Sequence, residues 1–309
     1  MASLQGMRSR LALALMAGSV AVTGAGCERG DAGSEEDHLH DEAGAAAAGE
    51  ERAAPPEQEG LPPGAEGAAA RIASSPRHGE WAMIRAGDDS IRAWVVYPER
   101  SGPAPVVLVV HEIFGLSNWI RGVADQLAAD GFIAIAPDLL TMEDVPARPD
   151  GESDPEAARA VIRTLDAAAV HRHLRAVAEW GMNLPAATRR YGIVGYCWGG
   201  STSFAHAVAS PELGAAVVYY GGSPATADLA NVRAPVLGLY GGSDERVNAT
   251  IAPADSAMEA LNKTYEPHIF AGAGHGFLRQ QDGAEGANMA ATREAWPLTV
   301  QWFRTHLGS

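Results

Sequence analysis

The sequence predicts an α/β fold with a mainly parallel sheet and helices on both faces. Short apolar runs at residues 106–110, 132–136, 215–219 and 236–240 have the continuous hydrophobicity of strands buried on both sides. Helical-period stretches of ten or more residues lie between most of these runs, as parallel crossovers require. Length sets the third bound: 309 residues, 47% of them apolar, can bury the core of one large domain.

The elements follow in order from about residue 73. Residues 81–85 and 91–97 alternate in polarity around Gly87-Asp88-Asp89 and form an antiparallel hairpin. The first buried strand is 106–110. A helix over 119–129 follows, with Val123 and Leu127 four apart on one face, and then the strand 132–136, closed by Pro137. Residues 154–181 are Ala-rich and helical in pattern. Ile193 and Val194 belong to the next strand, and a helix over 198–209 stops before Pro211. Strands at 215–219, 236–240 and 268–270 and helices at 251–262 and 289–306 complete the domain, which is assigned to 73–309.

Ahead of it lie two segments of different chemistry. Residues 1–27 have the form of a signal peptide: Arg8 and Arg10, an apolar run over 11–22 too short to span a bilayer, then Thr23-Gly24-Ala25-Gly26-Cys27. A cysteine directly after small residues resembles the bacterial lipobox, with Gly24 where a leucine is usual, so Cys27 is a candidate for acylation. The chain is therefore expected to be secreted, either periplasmic or held to a membrane as a lipoprotein. Residues 28–72 are rich in Glu, Ala, Gly and Pro and are expected to form a disordered acidic linker. The formal net charge is -15, and residues 28–70 carry twelve acids against Arg29 and Arg52. A chain this acidic, with no basic stripe, is repelled by phosphate backbones, which excludes nucleic acid as a partner. His38-Leu39-His40-Asp41 has no further ligand at a defined spacing and reads as a solvated polar run.

Gly195-Tyr196-Cys197-Trp198-Gly199-Gly200 lies between a strand and a helix, the setting of a nucleophile elbow with Cys in place of Ser. Such a turn needs positive φ at the nucleophile and little bulk two residues to either side. It presents the sulfur at a helix N-terminus, where thiolate is expected to be favoured. The only other cysteine, Cys27, lies in the signal segment, so Cys197 reads as a free thiol. Asp244 follows the strand 236–240 and His275 follows the strand 268–270, giving the order nucleophile, acid, base. This order is that of the α/β-hydrolase fold. The imidazole can take the thiol proton while the carboxylate fixes its tautomer. The oxyanion hole in this fold comes from the backbone N–H after the nucleophile and one after an early strand, here Trp198 and Ile113. His111 reads as a support for its loop, and His171 and His173, two apart on a helix, do not make a metal pair.

Over residues 78–307 the sequence resembles the dienelactone hydrolase family. The likeness rests on the elbow, on His111-Glu112-Ile113-Phe114-Gly115-Leu116, on Asp130-Gly131-Phe132 through Pro137-Asp138-Leu139, and on His275-Gly276-Phe277. It implies that Glu112 helps to deprotonate the thiol when substrate arrives and that Arg279 binds a substrate carboxylate. The resemblance also implies a second arginine between Asp138 and Val170, with Arg148, Arg159 and Arg163 as candidates, and a tyrosine that this stretch lacks. Trp198 and Trp119 are expected to shape the pocket. The function that follows is hydrolysis of a small ester or lactone through a cysteine thioester, with no metal or cofactor. The alternatives are a broader carboxylesterase or acyl transferase, or a non-catalytic surface protein that binds a ligand.

Overall fold

A computed structural model describes residues 58–149 and 151–308. The signal-peptide reading, the acylation site Cys27 and most of the linker lie outside the described residues.

The sheet has eight strands, β1 Gly79–Ala86, β2 Asp89–Val96, β3 Ala104–Val110, β4 Ile133–Pro137, β5 Ala187–Tyr196, β6 Ala215–Tyr219, β7 Val236–Gly241 and β8 Tyr265–Phe270. Their spatial order is β1-β2-β4-β3-β5-β6-β7-β8. From β4 to β8 every pairing is parallel, and the β1–β2 hairpin joins antiparallel at the β4 edge. The hairpin turns at Gly87-Asp88, where Gly87 has φ +69, a value that only glycine takes without strain.

Helices cover both faces. α1 Ala68–Ser74, α2 Asn118–Ala129 and α8 Ala287–Leu307 pack on one side, where Ala68, Ile120, Val123, Leu127, Trp296 and Phe303 are buried against alternate sheet residues such as Val107, Val109 and Val194. On the other side α4 Ala167–Met182, α5 Trp198–Ala209 and α7 Ile251–Ala260 bury Leu174, Val177, Phe204, Ala207 and Met258 against Val106, Leu108 and Ile193. Adjacent residues of β3 thus face opposite layers, which is why its sequence is apolar throughout. The short α3 Pro155–Ile162 and α6 Glu245–Asn248 lie in loops that follow strands.

Three expectations are revised. The helical stretch at 154–181 is two helices, because it carries two N-caps: Asp154 accepts from the N–H groups of Glu156 and Ala157, and Asp166 from those of Ala168 and Ala169. The linker does not run to residue 72. From residue 58 it is a strap ordered against the domain, with Leu61 and Ala68 buried, α1 formed, the Pro63 carbonyl accepting the Trp119 indole N–H at 3.0 Å, and Arg71 bonded to Asp125. Residues 58–72 are ordered because Leu61 and Ala68 are buried in the core and Pro63 and Arg71 have partners on α2, which residue composition does not reveal. Trp119 is a consequence of the same contact: it is buried beneath the strap, edge-on to Tyr196, and is core rather than pocket wall.

Candidate active site

Parallel strands place the loops that follow them on one edge of the sheet, so the ends of β3, β5, β7 and β8 bring Glu112, Cys197, Asp244 and His275 to the same rim. The elbow between β5 and α5 is fixed from several directions. Cys197 has φ 57 and caps α5; its N–H donates to the Tyr219 carbonyl at 3.1 Å and its carbonyl accepts from Ser201 N–H at 3.1 Å. A Cβ at Gly195 would overlap the Gly199 carbonyl, and one at Gly200 would overlap the Tyr219 carbonyl, so the glycine frame is a steric requirement of the turn.

The loops that carry Asp244 and His275 are zipped together. Gly242 N–H donates to the Phe270 carbonyl at 2.8 Å and Ser243 N–H to the Ala273 carbonyl at 3.0 Å. Asp244 is buried at the cap of α6, and its Oδ2 lies 2.5 Å from His275 Nδ1. That bond leaves Nε2 of His275 as the outward nitrogen, in a side chain that is 36% exposed. Asn288 from α8 steadies the loop by accepting from Gly274 N–H at 2.9 Å. The Tyr220 ring, at a strained φ of 40, sits edge-on to His275 with centroids 5.1 Å apart. Neither Asn288 nor Tyr220 carries a sequence signal, since one is an ordinary helix residue and the other reads as the end of a strand.

The thiol is half-buried. Burial and the neighbouring Glu112 carboxyl push it up to about 11, against the pull of the Trp198 N–H and of Arg246. The expectation that the helix terminus favours thiolate is therefore revised: desolvation and a nearby carboxyl outweigh it, and the resting sulfur is protonated. Among the described residues the sulfur makes no hydrogen bond to His275.

Glu112 is buried, and burial raises its carboxyl to about 7 while Arg279 opposes the shift. Arg279 Nε lies 3.3 Å from Glu112 Oε2, yet neither atom has a hydrogen-bond partner, because the pair is misaligned. Glu112 does not cap α2; Ser117 does, through Ile120 N–H. His111 is pinned as a neutral tautomer, Nδ1 donating to the Glu112 carbonyl at 2.7 Å and Nε2 accepting from Leu139 N–H at 3.2 Å, and it stacks on Trp198. Burial lowers its basicity further. Trp198 N–H opens α5 directly after Cys197, and Ile113 N–H, in the segment after β3, has no acceptor among the described residues.

Of the candidate second arginines, Arg159 on α3 comes to the site. Its guanidinium carbon lies 4.8 Å from the centre of the Phe114 ring, and that of Arg279 lies 5.0 Å from the same ring. Arg148 is instead ion-paired with Glu152 at 2.9 Å, and Arg163 is an exposed helix cap. His171 and His173 diverge as expected, His171 toward His206 and His173 to Asp89 at 2.7 Å. No group of three or more metal-ligating side chains occurs among the described residues.

A parallel sheet with a cysteine elbow at one rim, and an Asp–His pair beside it, defines an α/β-hydrolase. Residues 91–307 match the dienelactone hydrolase family, and the chain belongs to that family. It is 32% identical over 267 residues to an Escherichia coli K12 protein described as "Putative carboxymethylenebutenolidase", covering 82% of this chain and 97% of that one. A protein of the same description from Salmonella typhimurium is 34% identical over 234 residues, or 72% of this chain and 85% of the other. Among solved structures, a "Putative Dienelactone Hydrolase" from Klebsiella pneumoniae superposes with a TM-score of 0.65 at 29% identity, covering 74% of this chain and 98% of its own. The chain is thus a hydrolase of the dienelactone hydrolase kind.

Proposed function

We propose that the chain hydrolyses a small ester or lactone carrying a carboxylate, through a thioester at Cys197. The observation that carries this reading is the His275–Asp244 bond of 2.5 Å on the rim that also bears the positive-φ cysteine. The sulfur attacks the carbonyl carbon, and the oxyanion is held by the N–H groups of Trp198 and Ile113. Collapse breaks the acyl–oxygen bond; the leaving alkoxide takes up the proton that Glu112 removed from the thiol, and in a lactone it stays on the acyl chain. His275 then removes a proton from water, which attacks the thioester and releases the acid and the thiol.

Activation of the sulfur follows from Glu112 near it and from Arg279, which faces Glu112. At rest Arg279 leans on Glu112 and the thiol keeps its proton. A substrate carboxylate that draws Arg279 away removes the influence holding Glu112 down, so Glu112 becomes a stronger base beside the sulfur. Arg159, at the same phenyl ring, is the second arginine for that carboxylate. The charge of the substrate is in this way linked to nucleophile formation.

A chromogenic aryl ester tests the reading. Wild type should release a burst of alcohol stoichiometric with enzyme, with a mass increase of one acyl group on the peptide containing Cys197. Cys197→Ala should lose at least about a thousandfold in kcat/KM, the scale on which removing a nucleophile acts. Turnover by Cys197→Ala at a wild-type rate would end the proposal. We also place the enzyme outside the cytoplasm, tethered through an acylated Cys27, on the strength of the charged and apolar pattern of residues 8–27. Failure of Cys27 to incorporate a labelled fatty acid in a bacterial host would remove the anchor.

A further inference from the structure

The strap from residue 58 to 74 precedes the family match, which begins at 91, yet it touches the site at one place. Ala65 N–H donates to the carbonyl of Arg279 at 2.9 Å. Two residues on, the buried side chain of Gln281 donates through Nε2 to the Pro62 carbonyl at 2.9 Å and to the Leu278 carbonyl at 3.1 Å. The turn that presents Arg279 is closed from within by the Gly276 carbonyl, which accepts from the N–H groups of Arg279 and Gln280. From without it is closed by the strap, and the same two segments form the walls of a cavity of about 370 Å³ that Arg279 also lines. The strap cannot slide, since Trp119 holds the Pro63 carbonyl and Arg71 and Arg77 hold Asp125.

A guanidinium on a long side chain recognises a carboxylate only if its root is fixed, because a displacement of about an ångström forfeits the two-point geometry. We infer that Gln281, braced against Pro62 and seconded by the Ala65 N–H, is a positioning residue for Arg279 and so sets selectivity for substrates that carry a carboxylate. This rests on the reading of Arg279 as the carboxylate-binding arginine. Neutral substrates carry nothing that draws Arg279 away from Glu112, so their turnover does not depend on how the brace aims the guanidinium.

The test uses the full chain and two chromogenic aryl esters of equal acyl length, one ending in a carboxylate and the other in its neutral isostere. Gln281→Met keeps the length of the side chain but cannot donate; Ala65→Pro deletes the N–H that the Arg279 carbonyl accepts; Arg279→Ala is run beside them. Gln281→Met should raise KM for the acidic ester about tenfold and lower its kcat as well, since the same carboxylate releases Glu112, and leave both constants for the neutral ester within about twofold. Ala65→Pro should move the same KM in the same direction by about threefold. If Arg279→Ala is selective for the acidic ester while Gln281→Met and Ala65→Pro depress both esters alike, or neither, the positioning role is wrong and the reading of Arg279 stands. If Arg279→Ala is itself unselective, that reading falls and takes the positioning role with it.

Discussion

Asp125 and Glu112 are carboxylates shielded from solvent to nearly the same degree, 3% and 4% exposed, and each faces arginine, but they are treated in opposite ways. Burial works to raise Asp125, and hydrogen bonds from Arg77, Ser75 and Arg71 overcome it, so the group titrates below the ordinary carboxylate range. Glu112 meets Arg279 at 3.3 Å without a hydrogen bond and is left at about 7. The difference teaches that proximity of unlike charge is not what stabilises a buried ion; aligned donors are. Asp125 is saturated and fastens the strap to α2, whereas Glu112 is starved of donors and keeps a proton within reach of neutral pH.

The largest effect expected of this contrast is on stability. Asp125→Asn should lower the unfolding free energy in urea by about 3 kcal/mol or more, because it strips the countercharge from two largely buried arginines. A variant as stable as wild type would mean that the two clusters do not differ in kind. Next comes the pH dependence. The unfolded chain releases the Glu112 proton near 4.5 and the folded chain near 7, so in that window the native state binds more protons. Stability must therefore fall as pH rises through the window, by about 3 kcal/mol in total, and level off above it. Glu112→Gln should remove that decline, which a difference curve of unfolding free energy between pH 4.5 and 8 would measure; parallel curves would refute it. Asp125 contributes with the opposite sign, losing stability as pH falls through its lowered value. The smallest effect is on the sulfur. With Glu112→Gln the thiol loses a neighbour that raises it, and its alkylation at pH 9 should quicken by on the order of threefold. An unchanged rate would mean that Glu112 does not act on the Cys197 thiol.

The legibility of the molecule follows from how local each signal is. The parallel core was readable because strands buried on both faces must be apolar throughout, as β3 and β4 are. The elbow was readable because its glycine pattern is contiguous in the chain, although only Gly195 answers an overlap within the turn while Gly199 and Gly200 answer the Val110 and Tyr219 carbonyls. The Asp244–His275 pairing could be anticipated from chain order. What supports it could not: the Asn288 bond to Gly274, the Tyr220 ring and the two zipped loops depend on residues distant in sequence whose types are commonplace. The linker boundary failed for the same reason. Residues 58–72 have the composition of a disordered segment, and their order comes from partners on α2 and beyond residue 278. The thiol was misjudged because a helix terminus is visible in sequence while the depth of Glu112 is not.

The strap and the first hairpin strand both stand upstream of residue 91, where the family match starts. A polypeptide trimmed to that boundary would abandon Asp125 in the interior without Arg71 or Arg77, bare the indole of Trp119, and strip β2 of its outer neighbour. It would expose an open sheet margin inviting self-association. The smallest piece of this chain with a prospect of standing alone begins near residue 58, more than thirty positions before the family match at 91 and within the stretch that also aligns with the Escherichia coli relative.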